Sequence, residues 1–347
     1  MPRVRSRGEL IRKYVLENVE AHPADIVRQT IEHFGITRQA AHRHFQNLVD
    51  EKVLVPAGNT RNRTYRLAPP TKWERSFAIT PGLGESQVWL EVAPHLGSLP
   101  ENVRTIWQYA FTEMFNNVID HSGSDEAIVG IEKSAASTTI RITDFGVGIF
   151  KKIQKALNLA DERHAVLELA KGKFTTDPAN HSGQGIFFTS RVLDDFRILS
   201  GTVFFSHHRG EDEDWVLGDE KDAPGTLVSM RLDNHTARTL TSVFDEFADV
   251  DYGYGFTKTV VPVRLTLFGD DQLVSRSQAK RLLTRFEKFR TVMLDFTGVQ
   301  TIGQAFADEV FRVFTRAHPE VRIVEINAEP QVEAMIHRAR ADAASGP

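Results

Sequence analysis

Apolar and polar positions alternate differently along the three parts of this chain. Between residues 9 and 49 the apolar positions recur at helical spacing. Residues 9–16 and 24–34 each read as a helix, Gly35 supplies a tight turn, and Thr37 caps a third helix with Ala41, Phe45, Leu48 and Val49 on one side. Residues 53–56 and 64–67, separated by a polar loop, read as a β-hairpin with a basic tip. The middle of the chain mixes the two periods. Residues 113–122 form an amphipathic helical pattern, 138–143 alternate as a strand, 186–193 return to helical spacing behind a pair of glycines, and 226–232 alternate again. In the last part, 260–268 reads as a strand, 275–289 as a helix, 291–296 as a near-continuous buried strand, 304–315 as a helix and 321–326 as a strand. That order predicts parallel pairing with right-handed crossovers.

The pattern divides the chain at 1–70, 71–235 and 236–340, with Pro69-Pro70 as the first hinge, a bridging helix over 236–250, and an unstructured tail over 341–347. Residues 73–100 are expected to pack on the central part. At 347 residues two or three domains are expected, and 41% hydrophobic with 25% charged residues is the balance of an ordinary globular protein. The absence of cysteine excludes disulfides, thiol catalysis and cysteine-held metals. No apolar run approaches the roughly 20 residues of a membrane span, and the basic N-terminus lacks the apolar core of a signal peptide. A cytoplasmic protein without membrane contact is expected.

Charge is distributed unevenly. Residues 1–72 hold 13 Lys and Arg against 7 Asp and Glu, a balance of +6 within a chain of net charge −4. The face of the third helix opposite its apolar side carries Arg38, Gln39, His42 and Arg43, residue types that read base edges, and the hairpin tip carries Arg61 and Arg63. Double-stranded DNA is the expected partner of this head, bound by a homodimer.

The central part carries the candidate chemistry. Glu113 and Asn117 stand four residues apart and share a helix face, with Asp120 and His121 one turn further. Asn117 offers a hard oxygen to Mg²⁺, and Glu113 is placed to orient or deprotonate a water attacking a terminal phosphate. Asp144 ends a strand where a carboxylate can accept from adenine's exocyclic amine, while Gly146 and Gly148 allow a flat base to approach the backbone. Ser182, Gly183, Gln184, Gly185 and Ile186 open a helix whose free N–H groups suit phosphate, and Gly225-Thr226 opens the next strand. Together these segments argue for ATP.

In this order the segments resemble the GHKL group, the ATP-binding fold shared by DNA gyrase, Hsp90, MutL, sensor histidine kinases and anti-sigma-factor kinases. The resemblance implies a Bergerat-type α/β sandwich with Glu113 as general base, Asn117 as magnesium ligand, Asp144 as adenine anchor, Gly183 and Gly185 in the phosphate loop, and Thr226 near the adenine. It also makes residues 150–181 a mobile lid, where Lys171 and Lys173 could reach phosphate or remain solvated. The head resembles a winged helix-turn-helix, with Arg61 and Arg63 in the wing. Residues 294–306 resemble the central strand-loop-helix of STAS domains, with Gly303-Gln304-Ala305-Phe306 where anti-sigma antagonists carry a phosphorylatable serine, and the closer match is the STAS-like domain DUF4325.

The expected whole is therefore an α/β multidomain protein. It is read as an ATP-switched transcriptional regulator, a Mg²⁺-dependent ATPase with slow hydrolysis, whose STAS-like domain meets a protein partner. Two alternatives are an anti-sigma-type protein kinase and a nucleotide sensor without turnover. No phosphoacceptor histidine on a dimerising helix pair precedes Glu113, which removes the sensor histidine kinase reading.

Overall fold

The computed structural model describes residues 7–59, 62–175, 183–209, 215–248, 255–267 and 272–344, with the backbone alone at 215–223 and 342–344. The head comprises α1 (Arg7–Asn18), α2 (Ile26–Phe34), α3 (Arg38–Asp50) and the antiparallel hairpin of β1 (Leu54–Ala57) and β2 (Thr64–Leu67). Two residues specify the turn between α2 and α3. Gly35 closes α2 in the left-handed conformation at φ 57°, and Thr37 Oγ1 accepts from the Ala40 N–H at 3.2 Å. Ile11, Val15, Ile26, Phe45, Leu48, Leu54 and Tyr65 give the head its own apolar core.

The central unit is built on a five-stranded antiparallel sheet in the order β3-β4-β5-β7-β6. Its strands are β3 (Thr71–Ala78), β4 (Glu126–Lys133), β5 (Ser137–Asp144), β6 (Asp195–His208) and β7 (Trp215–Asp233). Along β5, Thr138, Ile140, Ile142 and Asp144 are buried while Arg141 faces solvent, so helices cover one face only. They are α4 (Glu85–Val92), α5 (Glu101–Asn117), α6 (Ile149–Leu157), α7 (Arg163–Lys171), α8 (Gly185–Val192) and α9 (Leu240–Phe247). Trp107, Phe111 and Phe115 of α5 share one core with Val129, Ile140 and Ile142 of the sheet. The stretch 73–100 supplies the edge strand β3 and α4, which packs on α5.

The last unit is a parallel sheet in the order β10-β9-β8, formed by β8 (Lys258–Pro262), β9 (Thr291–Asp295) and β10 (Arg322–Ile326). Its helices are α10 (Arg276–Leu283), α11 (Gln304–Asp308) and α12 (Thr315–Ala317), the latter two joined by a π turn at Glu309–Phe314, and α13 (Pro330–Ala344). A reciprocal cap starts α10: Ser275 Oγ accepts from the Gln278 N–H at 3.2 Å, and Gln278 Oε1 accepts from the Ser275 N–H at 3.0 Å.

Parallel pairing agrees with the sequence pattern, but several bounds move. The strand expected over 260–268 stops at Pro262 and gives way to a 3₁₀ turn at Val263–Thr266. The helix expected over 275–289 breaks after Leu283, where Arg285 takes φ 67°. The bridging helix shortens to Leu240–Phe247, and the tail expected to be unstructured from Ala341 is helical through Ala344. An aromatic seam joins the parallel unit to the central one. Phe187 and Phe256 lie 4.7 Å apart between ring centres, and Phe256 and Phe289 5.5 Å.

Candidate functional site

Asn117 is the last α-helical residue of α5, which then widens into a π turn at Val118–Ser122. Such turns recur at functional sites. The wider turn carries the Ser122 carbonyl under the loop after β5, where it accepts from the Val147 N–H at 3.0 Å. It also leaves Asp120 exposed, outside the cavity that Glu113 and Asn117 line.

Asp144 closes β5 opposite Thr226 of β7 and is 4% exposed. Its Oδ1 accepts from the Gly146 N–H at 2.9 Å, and the backbone and hydroxyl of Thr226 also hydrogen-bond to it. Burial nevertheless dominates and pushes the carboxyl pKa up. Thr226 Oγ1 and Ser200 Oγ each accept from the Ile149 N–H at 3.1 Å, and Ser200 Oγ donates to the Gly225 carbonyl at 2.8 Å. The start of α6 is thus pinned to the sheet beside Asp144.

Gly146 and Gly148 are both closely packed on the side where a Cβ would stand. A Cβ on Gly146 would fall 2.0 Å from the Ser122 carbonyl oxygen, and one on Gly148 2.7 Å from Ser200 Oγ. The protein's own atoms fill the Cβ side of both residues, while Gly148 also lines the cavity described next. These residues are glycine because 122, 144 and 200 must converge.

A cavity of about 380 Å³ brings together Glu113, Asn117, Asp144, Gly148, Gly183, Ile186 and Thr226, with Ile153, Ile198 and Val228 as apolar walls. Gly185 lies just behind it: a Cβ there would fall 2.1 Å from Glu113 Oε2, so the carboxylate rests against the N-terminus of α8. Gln184 immediately precedes that helix without a side-chain cap, and Gly146 backs Asp144 rather than lining the space. Ser182 lies outside the described residues. Tyr109, one turn before Glu113, has its hydroxyl pKa pushed up by burial and by the Glu113 charge.

Two residues of the site escaped the sequence reading. Lys152 of α6 lines the cavity and donates from Nζ to the His121 carbonyl at 2.8 Å, with its pKa lowered by burial against the pull of Asp120. Ser200 comes from β6 and meets the site only through the sheet order β5-β7-β6, so no local pattern marks it.

Lys171 is not the solvated surface charge that the sequence allowed, whereas Lys173 is only partly buried. Lys171 is fully buried: Nζ donates to Glu168 Oε1 at 2.6 Å and to the carbonyls of Arg281 and Thr284 at 3.2 and 3.0 Å. Burial pulls its pKa down to about 8. Arg285 adds a second bond to Glu168, at 2.9 Å, and one to the Gly172 carbonyl at 3.1 Å. Lys173 donates to the Lys288 carbonyl at 2.7 Å and lies 4.7 Å from the Phe289 ring centre. The parallel-sheet unit thereby grips α7, and Leu169 of that helix lines the cavity.

On the head, Arg38, Gln39, His42 and Arg43 are exposed on one side of α3, opposite buried Ala41, Phe45 and Leu48. Arg63 lies 5.5 Å from the Tyr65 ring centre, and Arg61 is outside the described residues.

Residues 278–333 match the family of a STAS-like domain of unknown function (DUF4325), so the parallel-sheet unit is STAS-like. No curated protein sequence matches the chain. Among the described residues no helix is long and apolar enough to cross a membrane.

Proposed function

We propose that the chain is a GHKL-type ATP-binding regulator, in which nucleotide occupancy of the central unit governs DNA binding by a winged helix-turn-helix head. The observation that carries the nucleotide reading is Asp144. A buried carboxylate beside the Thr226 hydroxyl, at the end of an apolar-walled cavity of about 380 Å³, suits an amine-bearing flat ring. Glu113 and Asn117 line the same space from α5, and the α8 N-terminus closes near them.

These residues fit ATP with Mg²⁺. Asn117 would hold the cation, which takes few protein ligands and neutralises phosphate charge when bound. Asp144 anchors the base, the first N–H groups of α8 face phosphate, and Glu113 takes the proton of an attacking water.

Titration calorimetry with ATP and Mg²⁺ tests the pocket. Asp144→Asn is expected to weaken binding at least tenfold, because a buried charge-assisted hydrogen bond is worth about 1.5–3 kcal/mol. Unchanged affinity in that variant removes the assignment.

The DNA reading draws on the exposed polar side of α3 and the local balance of +6. Arg43→Ala is expected to relax sequence preference by about 1–3 kcal/mol, whereas Arg63→Ala should weaken all sequences alike and flatten the salt dependence. Fluorescence anisotropy over a salt series separates the two. A chain with no salt-dependent DNA affinity at low ionic strength has a head that binds protein instead.

A further inference from the structure

A second cavity, of about 270 Å³, lies where the head meets the central unit. It sits just below the roughly 300 Å³ at which small-molecule pockets begin. Its walls carry more positive than negative charge: Arg12 and Lys52 from the head and Lys133 from β4, against the single carboxylate of Glu51, with His95 and His235 as the remaining titratable groups.

These cations are held close together without full compensation. Arg12 reaches Glu51 through Nη1, but its Nε is buried and has no hydrogen-bond partner among the described residues. Lys133 is half-buried and donates to the Leu96 carbonyl, one of the three bonds an ammonium can make. Burial first, and then the Arg12 charge, lower the pKa of Lys133. The same two causes in the same order pull His235 down to about 4, so it is neutral near pH 7. Like charges converging in a half-desolvated cleft form an arrangement that an anion would relieve.

We propose that this cleft is a binding site for a small anionic metabolite bearing phosphate or carboxylate groups, held between Arg12 of the head and Lys133 of the central unit. The ligand adds a polar bridge between two units whose apolar contact is narrow, with Ala135 of the central unit reaching into the head's core, so its occupancy fixes the head against the sheet. The site is distinct from the nucleotide cavity and does not depend on that assignment.

The full chain titrated with inorganic phosphate and with citrate tests the proposal by calorimetry. Saturable binding of either anion, one per chain, is expected. Lys133→Ala and the exposed Lys52→Ala should each weaken it, Lys133→Ala by about tenfold, which corresponds to about 1.4 kcal/mol. Glu51→Gln removes the opposing carboxylate and should tighten it, a gain that misfolding cannot produce. Lys152→Ala, in the other cavity, should leave it unchanged. Absence of saturable binding for both anions, or binding that responds to Lys152→Ala but not to Glu51→Gln and Lys52→Ala, overturns the proposal.

Discussion

Glu113→Gln is expected to lower ATP hydrolysis by about 10²–10⁴-fold, the usual contribution of a general base, while ATP affinity stays close to that of the parent. Glutamine preserves the volume that rests against Gly185, where a Cβ would fall 2.1 Å from Glu113 Oε2, so the α8 N-terminus keeps its neighbour. What the variant lacks is a proton acceptor. Alanine would be a less specific probe, because it also removes the side chain that packs against the α8 N-terminus. Phosphate release measured under single-turnover conditions, alongside calorimetric affinity, separates loss of chemistry from loss of binding. A glutamine variant that hydrolyses ATP at the parental rate would eliminate Glu113 as the base. A parent that binds ATP and releases no phosphate would favour a nucleotide sensor.

The strands around the site were legible because their burial is one-sided. Alternation at 138–143 places β5, and Asp144 follows at its end. The helical spacing of Glu113 and Asn117 survives because both lie within α5, whereas Asp120 falls past the switch to a π turn and leaves the face that 3.6-residue periodicity assigns it. Gly146 and Gly148 were recognisable as positions of close approach, but the approach of Ser122 and Ser200 to them depends on the sheet order and could not be read locally. Lys171, flanked by Gly172 and Lys173, has the local composition of a solvated surface. Its burial depends on Glu168 and on carbonyls more than a hundred residues away, which no window of sequence contains. The apolar run over 260–268 reads as one strand, but Pro262 cannot donate to a ladder and the pairing ends there.

That buried lysine leads to the second large effect. Glu168→Ala is expected to destabilise the protein by about 3–5 kcal/mol, the loss seen when one member of a buried ion pair is removed. Glu168 is 3% exposed and Lys171 0%, so solvent does not replace the missing carboxylate. The variant strands two cations, because Arg285 also bonds to Glu168. Arg285 holds an unfavourable φ of 67°, which the bonds to Glu168 and to the Gly172 carbonyl help to maintain. Removing the lysine together with the carboxylate, as Glu168→Leu with Lys171→Met, should recover part of the loss, since apolar replacements of buried pairs are often tolerated. Urea unfolding of the two single variants and the double variant gives the coupling directly. The same cluster joins α7 to the STAS-like unit, and Leu169 of α7 lines the cavity that holds Asp144, so on the proposed function loosening it should also change ATP affinity. A Glu168→Ala protein with parental stability and parental ATP affinity would show that the Glu168 cluster is not what holds α7 to the STAS-like unit, leaving contacts such as the Thr259 hydroxyl on the Lys171 carbonyl to do so.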